Sequence, residues 1–160
     1  MATDTEIEAQ FWTELKRTPT VMIGLVGAHD AHGQPMTAFF DDDHGPVWFF
    51  TTKDNGLVEK LAESHHAIAN FVAKDHALFA SVHGRLSVDN NPATIDHFWN
   101  SHIAAWYEGG RTDPKLALLR LDTERAEIWL NGSSFGAAIK RLFGQDPKAA
   151  YADNVAEVTL

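Results

Sequence analysis

Cysteine is absent from the 160 residues, which excludes disulfides, zinc–thiolate sites and cysteine nucleophiles, and nothing points to an oxidising compartment. No apolar run approaches the ~18 residues needed to span a bilayer, and the acidic opening MATDTEIEAQFW lacks the basic and apolar regions of a signal peptide. A cytoplasmic protein with no membrane partner is the expectation. Clustered positive charge is missing as well. The formal net charge is −9, whereas nucleic-acid binders draw most of their affinity from Lys and Arg set against phosphates. No nucleic-acid partner is expected. Repeats, low-complexity tracts and Ser/Gly/Pro linkers are also lacking, so residues 1–160 read as one domain around one core.

Several catalytic patterns are missing too. No G-x-S-x-G elbow exists, and Asn131-Gly132-Ser133-Ser134 reads as a turn followed by a helix cap. Neither a G-x-G-x-x-G nor a P-loop pattern occurs. The carboxylates Asp41 to Asp43 form a solvated turn, so no catalytic residue is assigned. Nine histidines invite a metal, but His65 and His66 are adjacent and His97 and His102 are five apart, which misses the i, i+4 spacing of a helical pair. His29, His32, His44 and His76 fall in turns. No metal is expected.

What is present is an alternation of helical and strand patterns. Residues 4–16 place Ile7, Phe11, Trp12 and Leu15 on one helical stripe, with Asp4 or Thr5 as cap. Strands are expected at 20–27, 36–41 and 47–52, then a helix at 56–63, then strands at 67–73 and 78–88. In the last of these Leu78, Ala80, Val82, Leu86 and Val88 face one way, and Gly84 interrupts the row as at a bulge. Asn91-Pro92 starts a helix whose stripe of Ile95, Phe98, Trp99, His102, Ile103 and Trp106 faces the core. Residues 116–121 and 125–130 form a hairpin around DTER, and a short helix follows at 134–143. Seven short, mostly antiparallel strands with helices point to a mainly β fold, a small β-barrel carrying helices.

One stretch carries chemistry. In VWFFTTKDNG, residues 47–56, an apolar strand runs into a helix start, where unpaired N–H groups and the positive end of the dipole favour an anion. Thr51 and Thr52 add hydroxyls, Lys53 a charge, and Gly56 an open approach. The same residues also read as an Asn55 cap beside a solvated Lys53. Trp48, Phe49 and Phe50, with Met36 to Phe40 on a paired strand and Trp99, Trp106, Tyr107 and Trp129 elsewhere, suit either a flat apolar ligand with a phosphate tail or an ordinary aromatic core.

Taken in order, QPMTAFF, PVWFFTTKDN, ALFASVHGRL, DHFWNSHIAAWYEGG and LALLRLDTERAEIWLNG resemble the general-stress-protein branch of the FMN-binding split-barrel family, which includes the pyridoxamine 5′-phosphate oxidases. The resemblance implies a six-stranded antiparallel Greek-key split barrel and a homodimer with flavin at the interface. It places Gln34, Pro35, Met36, Thr37 and Ala38 along the isoalloxazine and Phe50, Thr51, Thr52, Lys53 and Asn55 at the ribityl phosphate. Trp106 and Trp129 become contacts from the second subunit. Where the oxidases carry a Ser-Arg-Lys run this chain has Asn55, Gly56 and Leu57, and where they carry a strand arginine and a lysine it has Gln34 and Phe39. The implied grip on phosphate is looser, so FAD or riboflavin competes with FMN, and vitamin B6 oxidation is not implied. The resemblance leaves three functions open: a low-activity flavin-dependent oxidoreductase, a non-enzymatic flavin storage or sensing module, and a binder of another planar ligand such as haem, held by a histidine.

Overall fold

The computed structural model describes residues 2–28, 32–131 and 155–160. Helix α1 (Asp4–Arg17) is capped by Thr3, whose hydroxyl accepts from Glu6 N–H while the Glu6 carboxylate accepts from Thr3 N–H. That capping box, one residue earlier than the expected Asp4 or Thr5, holds the Glu6 carboxyl below the usual range through the bonds from Thr3. A cap contributes ~1 kcal/mol. Ile7, Phe11, Trp12 and Leu15 are each at most 2% exposed, and burial of one such side chain contributes ~1.5–3 kcal/mol. Packing therefore decides where α1 sits, against the strands Leu78–Val88, Leu116–Leu130 and Val155–Thr159 of the sheet.

That sheet comprises β1 (Thr20–Leu25), β2 (Gln34–Thr37), β3 (Val47–Thr52), β4 (His65–Val72), β5 (Leu78–Val88), β6 (Leu116–Leu130) and β7 (Val155–Thr159). Pairing is antiparallel throughout, in the order β2-β1-β4-β5-β6-β3. The two ends of that order meet at one bridge, in which Phe39 and Trp48 exchange both backbone hydrogen bonds at 2.8 and 2.7 Å. The sheet thus curls into a barrel that closes at a point and is split beside it. Six strands make the ring, as expected. The seventh, β7, pairs with Arg125 to Trp129 of β6, in the lane that β3 leaves after Leu121.

Inside the ring Ile23, Phe49, Phe71, Leu86, Leu121 and Ile128 meet Phe11 and Trp12 of α1. A smaller cluster of Ile95, Ile103, Tyr107, Leu116 and Leu118 holds helices α3 (Pro92–Phe98) and α4 (Ser101–Ala104) to the outside of β6. It is this second cluster that positions the site.

Several sequence expectations are corrected. The helix at 91–106 is two helices, because Trp99 and Asn100 are extended and the Asn100 side chain accepts from Ile103 N–H at 2.9 Å as a new cap. His102 and Trp106 are consequently exposed rather than core-facing. The hairpin at 116–121 and 125–130 is one strand, β6. Its polar middle is absorbed by a bulge: Gly84 pairs with Thr123 and His83 with Arg125, which leaves Glu124 as the extra residue. The strand at 36–41 is β2 over Gln34–Thr37, and the helix at 56–63 is one turn, α2 (Gly56–Glu59). Ala62, at φ 52°, stops its continuation. Val88 is exposed, since the chain leaves the sheet there for α3. The helix expected at 134–143, with Ser133, Ser134 and His29, lies outside the described residues.

Candidate functional site

The candidate site is the split itself. Phe39 turns its N–H and C=O to β3, and Ala38 turns its N–H the other way, to Pro19 O at 2.7 Å. Backbone groups alternate along an antiparallel strand, so Thr37 presents its N–H and C=O, and Pro35 its C=O, to the same side as Phe39. Pro35 lacks an N–H on that open edge, where no ladder bond is lost by it. Opposite stand Phe50, Thr51 and Thr52 of β3. Between the two lies a cleft of about 720 Å³, inside the ~300–1,000 Å³ range of small-molecule sites.

The amide-bearing end of the cleft is closed by side chains. Gln34 Nε2 donates to Asn55 Oδ1 at 3.1 Å, and Asn55 Nδ2 donates back to Gln34 Oε1 at 2.7 Å. Asn55 Oδ1 also accepts from Leu57 N–H at 2.9 Å, which caps α2. The third wall comes from α4 and the turn after it, through Asn100, His102, Ile103, Trp106 and Tyr107. Phe50 is held edge-on by Phe39 at 5.5 Å and by Trp99 at 6.2 Å.

Tyr107 ties this wall to β3, its hydroxyl donating to Thr51 O at 2.6 Å. Burial, with a smaller contribution from the Asp113 charge, pushes its phenol up to about 12. Tyr107 is therefore neutral at physiological pH and keeps its proton on that bond. Tyr107→Phe is expected to cost about 1 kcal/mol, the net worth of one hydrogen bond, read as a Tm lower by roughly 2–4 °C.

Of the residues expected at a flavin, Gln34, Pro35, Met36, Thr37, Phe50, Thr51, Thr52, Asn55 and Trp106 line the cleft. Ala38 is buried in the main core beside the bridge and does not. Lys53 is exposed and does not line the cleft, and its backbone N–H donates to Lys115 O at 2.9 Å. Trp106 is 83% exposed at the mouth. Trp129 sits at the other end of β6, paired with Phe79 and Val155, roughly 40 Å along the strand from Leu116 at ~3.3 Å per residue. Thr20, Phe39, Asn100, His102, Ile103 and Tyr107 complete the lining without having been singled out as site residues.

No Lys, Arg, Asp or Glu is among the described residues that line the cleft, and α2 is a single turn with little macrodipole to offer. The hydroxyl of Thr52 donates to Asp54 Oδ1 at 2.5 Å. Among the described histidines only His102 lines the cleft. His97 pairs with Asp41 at 2.6 Å, while burial, the Arg125 guanidinium and His66 hold His83 below the ordinary imidazole value. No group of three or more His, Asp or Glu among the described residues is arranged to hold a metal, nor is any described helix long and apolar enough to cross a membrane.

The sequence matches the family model "Pyridoxamine 5′-phosphate oxidase like" over residues 6–146. Among solved structures, a protein of Xanthomonas campestris assigned to the general stress family is 53% identical, with a TM-score of 0.78 and coverage of 84% of this chain and 93% of its own. A general stress FMN/FAD binding protein from Xanthomonas citri is also 53% identical, with a TM-score of 0.77 and coverage of 81% and 92%. A Jannaschia protein assigned as general stress protein 26 is 26% identical over 99% of this chain and 100% of its own, with a TM-score of 0.79. No curated protein matches the sequence.

Proposed function

The chain belongs to the pyridoxamine 5′-phosphate oxidase-like family, and from that premise we propose that it is a cytoplasmic, homodimeric flavin-binding protein of the general-stress type with low flavin-dependent oxidoreductase activity. The observation that carries this reading is the split: an aromatic cleft bounded by an open strand edge on which Thr37 offers one donor and one acceptor. The polar rim of an isoalloxazine ring presents the complementary acceptors and N–H. Gln34, Pro35, Met36 and Thr37 lie along the ring, Phe50 meets its face, and Thr51, Thr52 and Asn55 lie toward the tail. The ring end fits; the tail end lacks the cations a phosphate would want.

A bound flavin supplies the hydride or electron transfer itself. The chain's own residues bind, orient and exclude water. The mouth beside Trp106 is left for a second copy to cover, and Trp129, a strand's length away in its own chain, would reach a flavin only as the partner's contact. Light scattering on the purified protein checks the dimer.

Riboflavin and FMN titrations followed by tryptophan quenching test the central reading, together with the visible spectrum of the protein as purified. Absence of both flavin absorbance and quenching would sink it. Trp106→Ala is expected to weaken flavin about 3- to 10-fold, the equivalent of the ~0.5–1.5 kcal/mol that aromatic stacking adds, with Tm unmoved because the indole is exposed. Anaerobic mixing with NADH or NADPH separates oxidoreductase from binder, since a binder leaves the flavin unbleached. Among the described histidines the haem alternative rests on His102, and a Soret band lost in His102→Ala would promote it.

A further inference from the structure

Outside the split, three side chains converge on the outer face of the barrel. His83 of β5 sets its Nδ1 3.3 Å from a terminal guanidinium nitrogen of Arg125 on β6 and 3.4 Å from Nε2 of His66 on β4. The registers bring them there, since His83 pairs with Arg125 on one side and with Ile68, the second residue after His66, on the other. A guanidinium only donates, so Nδ1 of His83 must offer it a lone pair, and the imidazole is neutral in this arrangement. That lone pair is therefore not free to bind a metal. The place matters because β6 changes partners here. Glu124 is the bulged residue and its carbonyl accepts from Leu160 N–H at 3.1 Å, while Arg125 opens the pairing with β7 opposite Thr159.

We propose that His66, His83 and Arg125 form a pH-sensitive lock on the join between β6 and β7, closed while Nδ1 of His83 is unprotonated and loosened when it takes a proton. Protonation there replaces an accepted hydrogen bond by two like charges in contact, with the His66 imidazole crowding the same atom. The surrounding charges are mixed. Glu124 and Glu127 of β6 favour the proton, and Glu157 of β7 lies opposite Glu127. Arg85, the next outward residue of β5, donates to Ser64 Oγ at 3.1 Å, and Asp122 opposite it accepts from Arg120 at 3.2 Å. Burial, Arg125 and His66 outweigh the two carboxylates and hold His83 below the ordinary imidazole value. An opened lock takes the proton near the ordinary ~6.5, the closed one only at lower pH. The join is thus destabilised as pH falls below ~6.5, and the loss ends at the closed-state value. What the lock governs is β7, whose Val155 pairs with Trp129. It does not depend on the flavin reading.

Hydrogen exchange of the β7 amides in the full chain, corrected for its intrinsic pH dependence, tests the lock between about pH 8 and about pH 5. Opening of β7 is expected to rise by up to about tenfold per pH unit below ~6.5, the limit set by one proton. Strand β1, which pairs with β2 and β4, is expected to keep its protection. His83→Gln retains an acceptor for Arg125 but cannot be charged, so it should flatten the β7 response. Imidazole titration by NMR supplies a second measurement: His83 of the wild-type chain is expected to take its proton below the ordinary value, and Arg125→Gln to move that titration upward. A β7 response with the same slope in wild type and His83→Gln, or a His83 titration that Arg125→Gln leaves in place, overturns the proposal. Melting at about pH 8, where His83 is neutral whether the lock is open or closed, checks that the variants fold. Should His83→Gln fail to fold, the wild-type exchange decides, and β7 opening that does not rise in acid overturns the lock.

Discussion

Replacing Thr37 by proline is expected to weaken flavin binding about 10- to 100-fold while the barrel stays folded. The two effects separate because of where the Thr37 N–H points. Phe39 gives its backbone to Trp48 and Ala38 to Pro19, so Thr37 faces the split, and its N–H takes no part in the ladder with β1. Proline on an edge strand with its missing donor turned outward is tolerated; Pro35, two residues earlier on the same side, already is. Met36, which precedes the substitution, is in the extended conformation that a following proline requires. What goes is the donor the proposed ring edge needs. An acceptor buried against the cleft without its donor costs ~1–3 kcal/mol, and each 1.4 kcal/mol is tenfold. Circular dichroism should report native β content and a Tm within a few degrees, with the flavin titration shifted by one to two decades. Unchanged affinity would show that the ring does not read the β2 edge.

Much of this arrangement was legible from local pattern. The α1 stripe and the β5 alternation are buried residue for residue from Ile7 to Leu15 and from Leu78 to Leu86, because both arise from side chains that share one face. What failed locally was decided by a distant partner. The run Asp122-Thr123-Glu124 has turn composition, yet it stays in β6 because Gly84, far off in sequence, leaves room for a bulge. The 3.6-residue stripe through Ile95 and Ile103 is real, but it assumes one continuous helix. Asn100 carries the signal that it is not, being a second cap former inside the stripe, and the break turns His102 and Trp106 out into the cleft. From the VWFFTTKDNG stretch, Phe50, Thr51, Thr52 and Asn55 line the cleft. Composition records that Lys53 is charged; it does not record that its side chain stays out of the cleft or that the Thr52 proton goes to Asp54.

The largest loss of stability is expected at Gly84. A Cβ built there lies 2.3 Å from Asp122 O and 3.0 Å from Asp122 C, with Leu121 Cδ1 also at 3.0 Å. The first two are backbone atoms within a paired strand, so relief requires β6 to move rather than a side chain to swing. Overfilling a packed site costs ~1–3 kcal/mol, and more where the neighbour cannot yield. Gly84→Ala is therefore expected to cost about 3 kcal/mol, a fall in Tm of roughly 6–12 °C for a chain of this size. The displacement has a direction. Glu124 is the extra residue opposite Gly84, and the same region of β6 is where pairing passes from β3, which ends at Leu121, to β7, which begins at Arg125. Forcing Asp122 away loosens both joins, and amide exchange should rise first at Leu121 and Arg125. Gly56→Ala is the control: nothing lies within 4 Å of its Cβ, its φ is not in the left-handed region, and it opens α2. Removing a glycine from such a position stabilises by ~0.4–1 kcal/mol through the unfolded chain. If Gly84→Ala melts within 2 °C of wild type, the glycine is not what admits the bulge, and the long strand must be held by the packing of Leu118, Leu119 and Leu121 instead.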